Sequence, residues 1–206
     1  RQTLLDVVAD EKLTRDRLAK YRTVILPRAT ALSDDQLAVL RDYASEGGLI
    51  LQRKGAGSND EYGRPRKDAN IQGAVAINTD TTETAADSIM MRVQERGATA
   101  IKGLWTLRAN AYTQPNRVIL HLVNYDRDET KDKRLKGPEL ERPEAVENVQ
   151  VDLRLPKAQA VDSITLYCPD DSKPLKLRFQ QPCNGRVRFE VPRVLVYGIV
   201  EVVTDE

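Results

Sequence analysis

The hydrophobic pattern changes its period once along this chain. Through the first hundred residues, short continuous apolar runs alternate with helix-spaced stripes. Leu4-Leu5-Asp6-Val7-Val8 is too short for periodicity to separate a strand from a helix end. Thr14 is placed to cap a short helix ending near Tyr21, with Leu13 and Leu18 at the staple positions. Thr23-Val24-Ile25-Leu26, closed by Pro27, has the composition of a strand buried on both faces of a parallel sheet. Ser33 and Gln36 then form a capping box, with Leu32 and Leu37 as a second staple. Leu37, Leu40 and Ala44 mark one face of that helix, with Tyr43 beside them. Gly47-Gly48 stops the helix, and Leu49-Ile50-Leu51 is a second buried strand. Strand, helix and strand at this spacing predict a βαβ unit. Beyond a loop from Lys54 to Asn70, a third helix is predicted from Thr82 to Arg96. Its buried stripe is Ala86, Ile89, Met90 and Val93.

From Leu104 onward the pattern is one of short strands. The segments are Trp105–Tyr112, Arg117–Tyr125, Val149–Leu155, Ser163–Tyr167, Leu175–Phe179, Arg186–Val191 and Leu195–Val203. Seven such strands with turns between them predict an antiparallel β-sandwich. Val149, Val151, Leu153 and Leu155 alternate with polar residues, the mark of a half-buried strand. The charged stretch from Arg127 to Asn148 holds two prolines and reads as an excursion loop. The fold class expected is therefore α/β plus all-β: a partial flavodoxin-like parallel sheet over 1–103, then a sandwich over 104–206.

Composition narrows the function more than it defines it. Thirty-two basic residues against 31 acidic ones leave a net charge of +1, so no strong field draws the chain to nucleic acid or an anionic membrane. No apolar run is long enough for a transmembrane helix. The chain begins Arg1-Gln2-Thr3 without an initiator Met, which reads as processing or truncation. Removal of a signal upstream would mean secretion or a periplasmic address, and the compartment stays open. Cys168 and Cys183 are too few for a disulfide framework or a four-ligand zinc site; they fall near the ends of neighbouring predicted strands, so two unpaired thiols are expected, with a bridge between them as the alternative.

A search for chemistry finds no catalytic set. The turn after Leu51, Gln52-Arg53-Lys54-Gly55-Ala56-Gly57, has no nucleophile, and Gly55 and Gly57 alone are a weak phosphate signal. His121 is the single histidine, so no His-paired metal site or cofactor is implied. It is expected to pack or hydrogen bond within a strand. A glycosidase needs two opposed carboxylates, and the adjacency of Asp60 and Glu61 does not supply opposition. Trp105, standing alone, is expected in the core. The candidate binding residues are Asp60, Glu61, Tyr62, Arg64 and Arg66. They follow a buried strand, where open α/β sheets place ligands, and could hydrogen bond to and stack on a sugar. The competing reading is a loop tied down by Asp–Arg pairs.

The run Tyr21-Arg22-Thr23-Val24-Ile25-Leu26-Pro27, with Leu32-Ser33, Leu40-Arg41-Asp42-Tyr43 and Gly47-Gly48-Leu49-Ile50, resembles the glutamine-amidotransferase-like domain of multidomain glycoside hydrolases. The trimerisation domain of family 42 β-galactosidases is the familiar case. The loop from Asp60 to Arg66 resembles a stretch in bacterial glycoside-hydrolase-like proteins. His121-Leu122-Val123-Asn124-Tyr125, Leu155-Pro156, Val191-Pro192 and Val196-Tyr197 are similar to their terminal sandwich. Such proteins carry their catalytic carboxylates on a barrel earlier in the chain. A barrel needs about 250 residues and does not fit here. The amidotransferase cysteine has no counterpart after Leu51. The resemblance therefore implies a non-catalytic accessory or assembly region, partnered by an upstream catalytic barrel or a second copy. Two other readings stay open: an independent carbohydrate-binding module using Tyr62, Arg64 and Trp105, or a small-molecule enzyme on a flavodoxin-like sheet.

Overall fold

The computed structural model of the chain describes residues 2–68, 70–77, 81–128, 141–183 and 185–205. These fall into two compact units, one of Asp6–Arg96 and one of Arg1–Leu5 with Gly97–Glu206. The α/β unit is thus an insertion near the start of the β unit. Gln2 makes the connection: its backbone exchanges hydrogen bonds of 2.9 and 3.0 Å with Ile101.

The α/β unit is built on a three-stranded parallel sheet in the order β1 (Thr23–Leu26), β2 (Leu49–Arg53), β3 (Val75–Ile77). In β2 the first three residues are all buried, as a central strand covered on both faces requires. The expectation that Thr23–Leu26 is buried likewise is corrected. β1 is an edge strand, and only Leu26 is fully buried. β3 was not legible at all, being three residues long with an exposed alanine at its centre.

The first helix, α1 (Arg15–Leu18), is a single turn capped by Thr14. The second, α2 (Asp34–Ser45), has the expected capping box. Ser33 Oγ accepts from Gln36 N at 3.1 Å, and Gln36 Oε1 accepts from Ser33 N at 2.9 Å. Leu37, Leu40 and Tyr43 form its buried face, packed with Leu18, Leu26, Leu32, Ile50 and Ile71. Each fully buried Leu or Ile contributes roughly 1.5–3 kcal/mol. The third helix, α3 (Thr82–Glu95), buries Ala85 and Val93; Ala86 is exposed, so the expected stripe is shifted by one residue at its start.

The β unit is two antiparallel sheets around one core. The strands are β4 (Ala100–Lys102), β5 (Leu107–Gln114), β6 (Arg117–Asn124), β7 (Arg127–Asp128), β8 (Arg142–Pro143), β9 (Val146–Arg154) and β10 (Val161–Tyr167), then β11 (Leu175–Lys176), β12 (Phe179–Cys183), β13 (Arg186–Val194) and β14 (Tyr197–Thr204). The five-stranded sheet runs β11-β10-β14-β6-β5 and the four-stranded sheet β12-β13-β9-β4. Alternate residues point inward: Val118, Leu120 and Leu122 from one sheet share a core with Val149, Val151 and Leu153 from the other.

Three expectations for this half are corrected. Leu175–Phe179 is not one strand, because β11 belongs to one sheet and β12 to the other. The stretch 127–148 is not all loop: β7 pairs with β8, and β9 already begins at Val146. Residues 129–140 of that stretch lie outside the described residues. Trp105 is in neither a strand nor the core, being 78% exposed.

Asn124 fixes one end of the sandwich. Its buried side-chain amide donates to the carbonyls of Glu144, Leu195 and Val194 at 2.6, 2.8 and 3.2 Å, and its Oδ1 accepts from Asp126 N at 2.8 Å. One side chain thereby joins β6 to the β13–β14 turn and to the approach to β9.

Candidate functional site

The loop that follows β2 lies at the carboxyl end of the parallel sheet, and it is stitched there by its backbone. Gly57 N donates to Ala29 O at 2.8 Å and Asn59 N to Thr30 O at 2.9 Å, while Leu32 N donates to Asn59 O at 3.1 Å. Gly57 takes a positive φ of 69°, which lets the chain double back towards the segment after β1.

Within this loop, four of the five sequence-selected residues divide into two sets, and the fifth, Glu61, has a half-exposed side chain 3.9 Å from Arg66. Asp60 and Arg66 face inward and are occupied. Asp60 Oδ1 accepts from Tyr62 N at 3.0 Å and Arg64 N at 2.8 Å, and Oδ2 accepts from Arg64 Nε at 2.7 Å. Desolvation works to raise this carboxyl, but the hydrogen bonds from Arg64 and Tyr62 and the Arg64 charge outweigh it and hold it below its ordinary value. Such a group stays ionised and is unsuited to donate a proton near neutrality. Arg66 has a side chain only 15% exposed. It donates to Leu32 O at 2.6 Å and to Asn59 O at 3.4 Å, pairs with Asp34, and lies 3.9 Å from Glu61.

Tyr62 and Arg64 face outward. The Arg64 guanidinium lies 4.8 Å from the centre of the Tyr62 ring, which is 75% exposed. The loop thus presents one stacked aromatic–cation pair on a tied-down base, and Asp60 is committed to holding that base in place.

A second group of surface aromatics belongs to the β unit. His121 hydrogen bonds through Nδ1 to the Tyr197 hydroxyl and meets the Tyr112 ring edge-on at 5.3 Å. Asn110 Nδ2 donates to the Tyr112 hydroxyl at 3.2 Å. The local role expected for His121 is what the structure has. Tyr125 is 63% exposed, and Tyr125 N donates to Thr106 O at 3.1 Å, next to Trp105 in sequence. Sequence reasoning did not select Tyr112, Tyr125 or Tyr197. The available signal was their alternation against the buried residues of β5, β6 and β14, which Tyr125 continues one residue beyond the end of β6.

Cys168 and Cys183 are both free thiols. Among the described residues, no group of three His, Cys, Asp or Glu side chains could hold a metal ion, and no helix is long and apolar enough to cross a membrane.

The chain matches no protein-family model and no curated protein. Its structural neighbours are glycoside hydrolase chains. An α-L-fucosidase isoenzyme 2 from Paenibacillus thiaminolyticus aligns with a TM-score of 0.64 at 16% identity, over 90% of this chain and 41% of its own. Gan42B, a GH42 β-galactosidase, aligns with a TM-score of 0.54 at 10% identity, over 91% of this chain and 32% of its own. A catalytic mutant of Gan42B from G. stearothermophilus gives 0.53, 11%, 94% and 34%. At these identities the likeness is one of fold. The chain spans less than half the length of the enzymes it matches.

Proposed function

We propose that this chain is a non-catalytic accessory region of a carbohydrate-active, glycoside-hydrolase-like protein. Its role is to pack on, or assemble, the catalytic part. The observation that carries this reading is the asymmetry of coverage: the likeness takes in 90% of this chain but only 41% of the fucosidase. The chemistry of the loop supports it. Asp60 is held ionised by its hydrogen bonds, and Arg66 is spent on backbone carbonyls. The partner is the catalytic barrel of the same protein or a second copy of this chain. The amidotransferase-like parentage of the parallel sheet belongs to the same proposal.

The test is a glycosidase assay of this chain alone against a panel of aryl glycosides. No turnover is expected. Robust turnover abolished by changing one carboxylate in this chain overturns the reading.

A second reading, direct carbohydrate binding, is favoured by the exposure of Trp105 at 78% and Tyr125 at 63%. Exposed aromatic faces suit the apolar face of a sugar ring. Calorimetry with neutral oligosaccharides tests it. Heat lost in Trp105→Ala supports binding there, and no heat disposes of it.

A further inference from the structure

At the end of the sandwich formed by the β5–β6 turn, the loop after β9 and the end of β14, there is an open cleft of about 390 Å³. That is within the ~300–1,000 Å³ range of small-molecule sites. Among the described residues, its charged lining residues are Arg117 and Lys157, and no Asp or Glu lines it. The two cations differ. Arg117 is spoken for by Glu201, with Nη1 3.0 Å from a carboxylate oxygen. Lys157 makes no ion pair among the described residues. The cleft therefore offers one uncompensated ammonium to an incoming anion.

The remaining polar lining is neutral. Gln114, Asn116 and Gln159 bring amides that both donate and accept. Pro115 and Pro156 add apolar wall. Inorganic phosphate would leave most of this volume and both prolines unused. A pyranose bearing a carboxylate uses all of it: the acid on Lys157, the hydroxyls on the amides, and the C–H face on proline.

The walls are tied in place. Asn116 sits at a φ of 57°, and its carbonyl accepts from Thr204 N at 2.9 Å. Gln159 Nε2 donates to Asp205 O at 2.9 Å, and Gln159 O accepts from Gln181 Nε2 at 2.7 Å. Such bracing reduces the ordering cost of binding.

We propose that this cleft binds a terminal hexuronate, with Lys157 holding the carboxylate. The choice of a sugar rests on the carbohydrate-active reading above, whereas the choice of an anion rests on the cleft itself. The experiment is an amide-detected NMR titration of the whole chain with glucuronate, glucose and inorganic phosphate in separate arms. Glucuronate is expected to shift the side-chain amides of Gln114, Asn116 and Gln159. Lys157→Met is expected to weaken that binding by roughly tenfold or more, as loss of a charge-assisted contact does. Trp105→Ala is expected to leave it unchanged. Equal response to glucose and glucuronate, insensitive to Lys157→Met, overturns the proposal. So does a response to phosphate alone. Neutral oligosaccharides bound at Trp105 with a silent cleft also overturn it, while leaving the carbohydrate-active reading standing.

Discussion

The ring of Tyr43 fills the space that a side chain on Gly48 would need: a Cβ built there lies 2.3 Å from the Tyr43 Cε1 and Cζ atoms. The helix stop at Gly47-Gly48 therefore has two causes. Gly47, at a φ of 91° with open space around it, is required by conformation, whereas Gly48 is required by volume. Gly48→Ala is expected to destabilise the α/β unit by about 1–3 kcal/mol through overpacking. In the Tyr43→Ala background the same change should cost much less. Urea unfolding of the four variants measures the coupling, and strictly additive losses would refute the shared-space account.

Tyr43 also makes stability depend on alkaline pH. Burial pushes its phenol up from 10.0 to about 12, against a smaller opposing effect of the Arg96 charge. The folded form therefore favours the protonated phenol. The stabilisation is present in full below the ordinary value of 10.0 and is lost as pH rises from there towards about 12. Tyr21 and Tyr167 are raised as well, by hydrogen bonds to Asp6 and Glu201, and act in the same direction. The measurement is thus a comparison. Tyr43→Phe should show a shallower loss of stability than the parent protein across that window.

Asn124 presents its amide to three carbonyls, so the isosteric change to a carboxylate is the severe one. Asn124→Asp is expected to cost more than about 2 kcal/mol, since the donor is lost and an oxygen faces oxygens. Lowering the pH should recover part of the loss, because the protonated acid regains one donor. Thermal or urea melts at neutral and acid pH check both halves of this prediction.

Arg66 is expected to hold the loop 58–66 closed against the segment after β1. Arg66→Met leaves the Leu32 carbonyl without this donor, at a cost of about 1–3 kcal/mol. Trypsin cleavage after Lys67 should accelerate in the variant, the Arg64–Pro65 bond being resistant to the enzyme. Unchanged cleavage would mean that the backbone bonds of Gly57 and Asn59 are sufficient alone.

Trp105 is the single tryptophan, so its emission reports one site. At 78% exposure, its native spectrum should be that of a solvated indole. Iodide should quench it almost as well in the native protein as in urea. A strongly blue-shifted, protected emission would contradict the exposed placement.

How much of this was written in the sequence depends on how local each cause is. The capping box of Ser33 and Gln36, the stop at Gly47-Gly48, the all-apolar centre of β2 and the alternation in β9 act within a few residues, so pattern alone determined them, along with the α/β-then-sandwich class. Tertiary structure decided whatever depends on neighbours distant in the chain. β1 reads as a buried strand but is an edge, because nothing in four residues states how many partners a strand will have. Leu175–Phe179 divides between two sheets for the same reason. Trp105 reads as core by its type and is exposed by its position before β5. In the loop after β2, the sequence supplied acid, aromatic and guanidinium together. Only the fold could place the carbonyl of Leu32, just ahead of α2, within reach of Arg66 and so turn half of the candidate site into its own support. The cleft beside Lys157 is the extreme case, assembled from residues near 114, 157 and 204 whose proximity exists only once the sheets have paired.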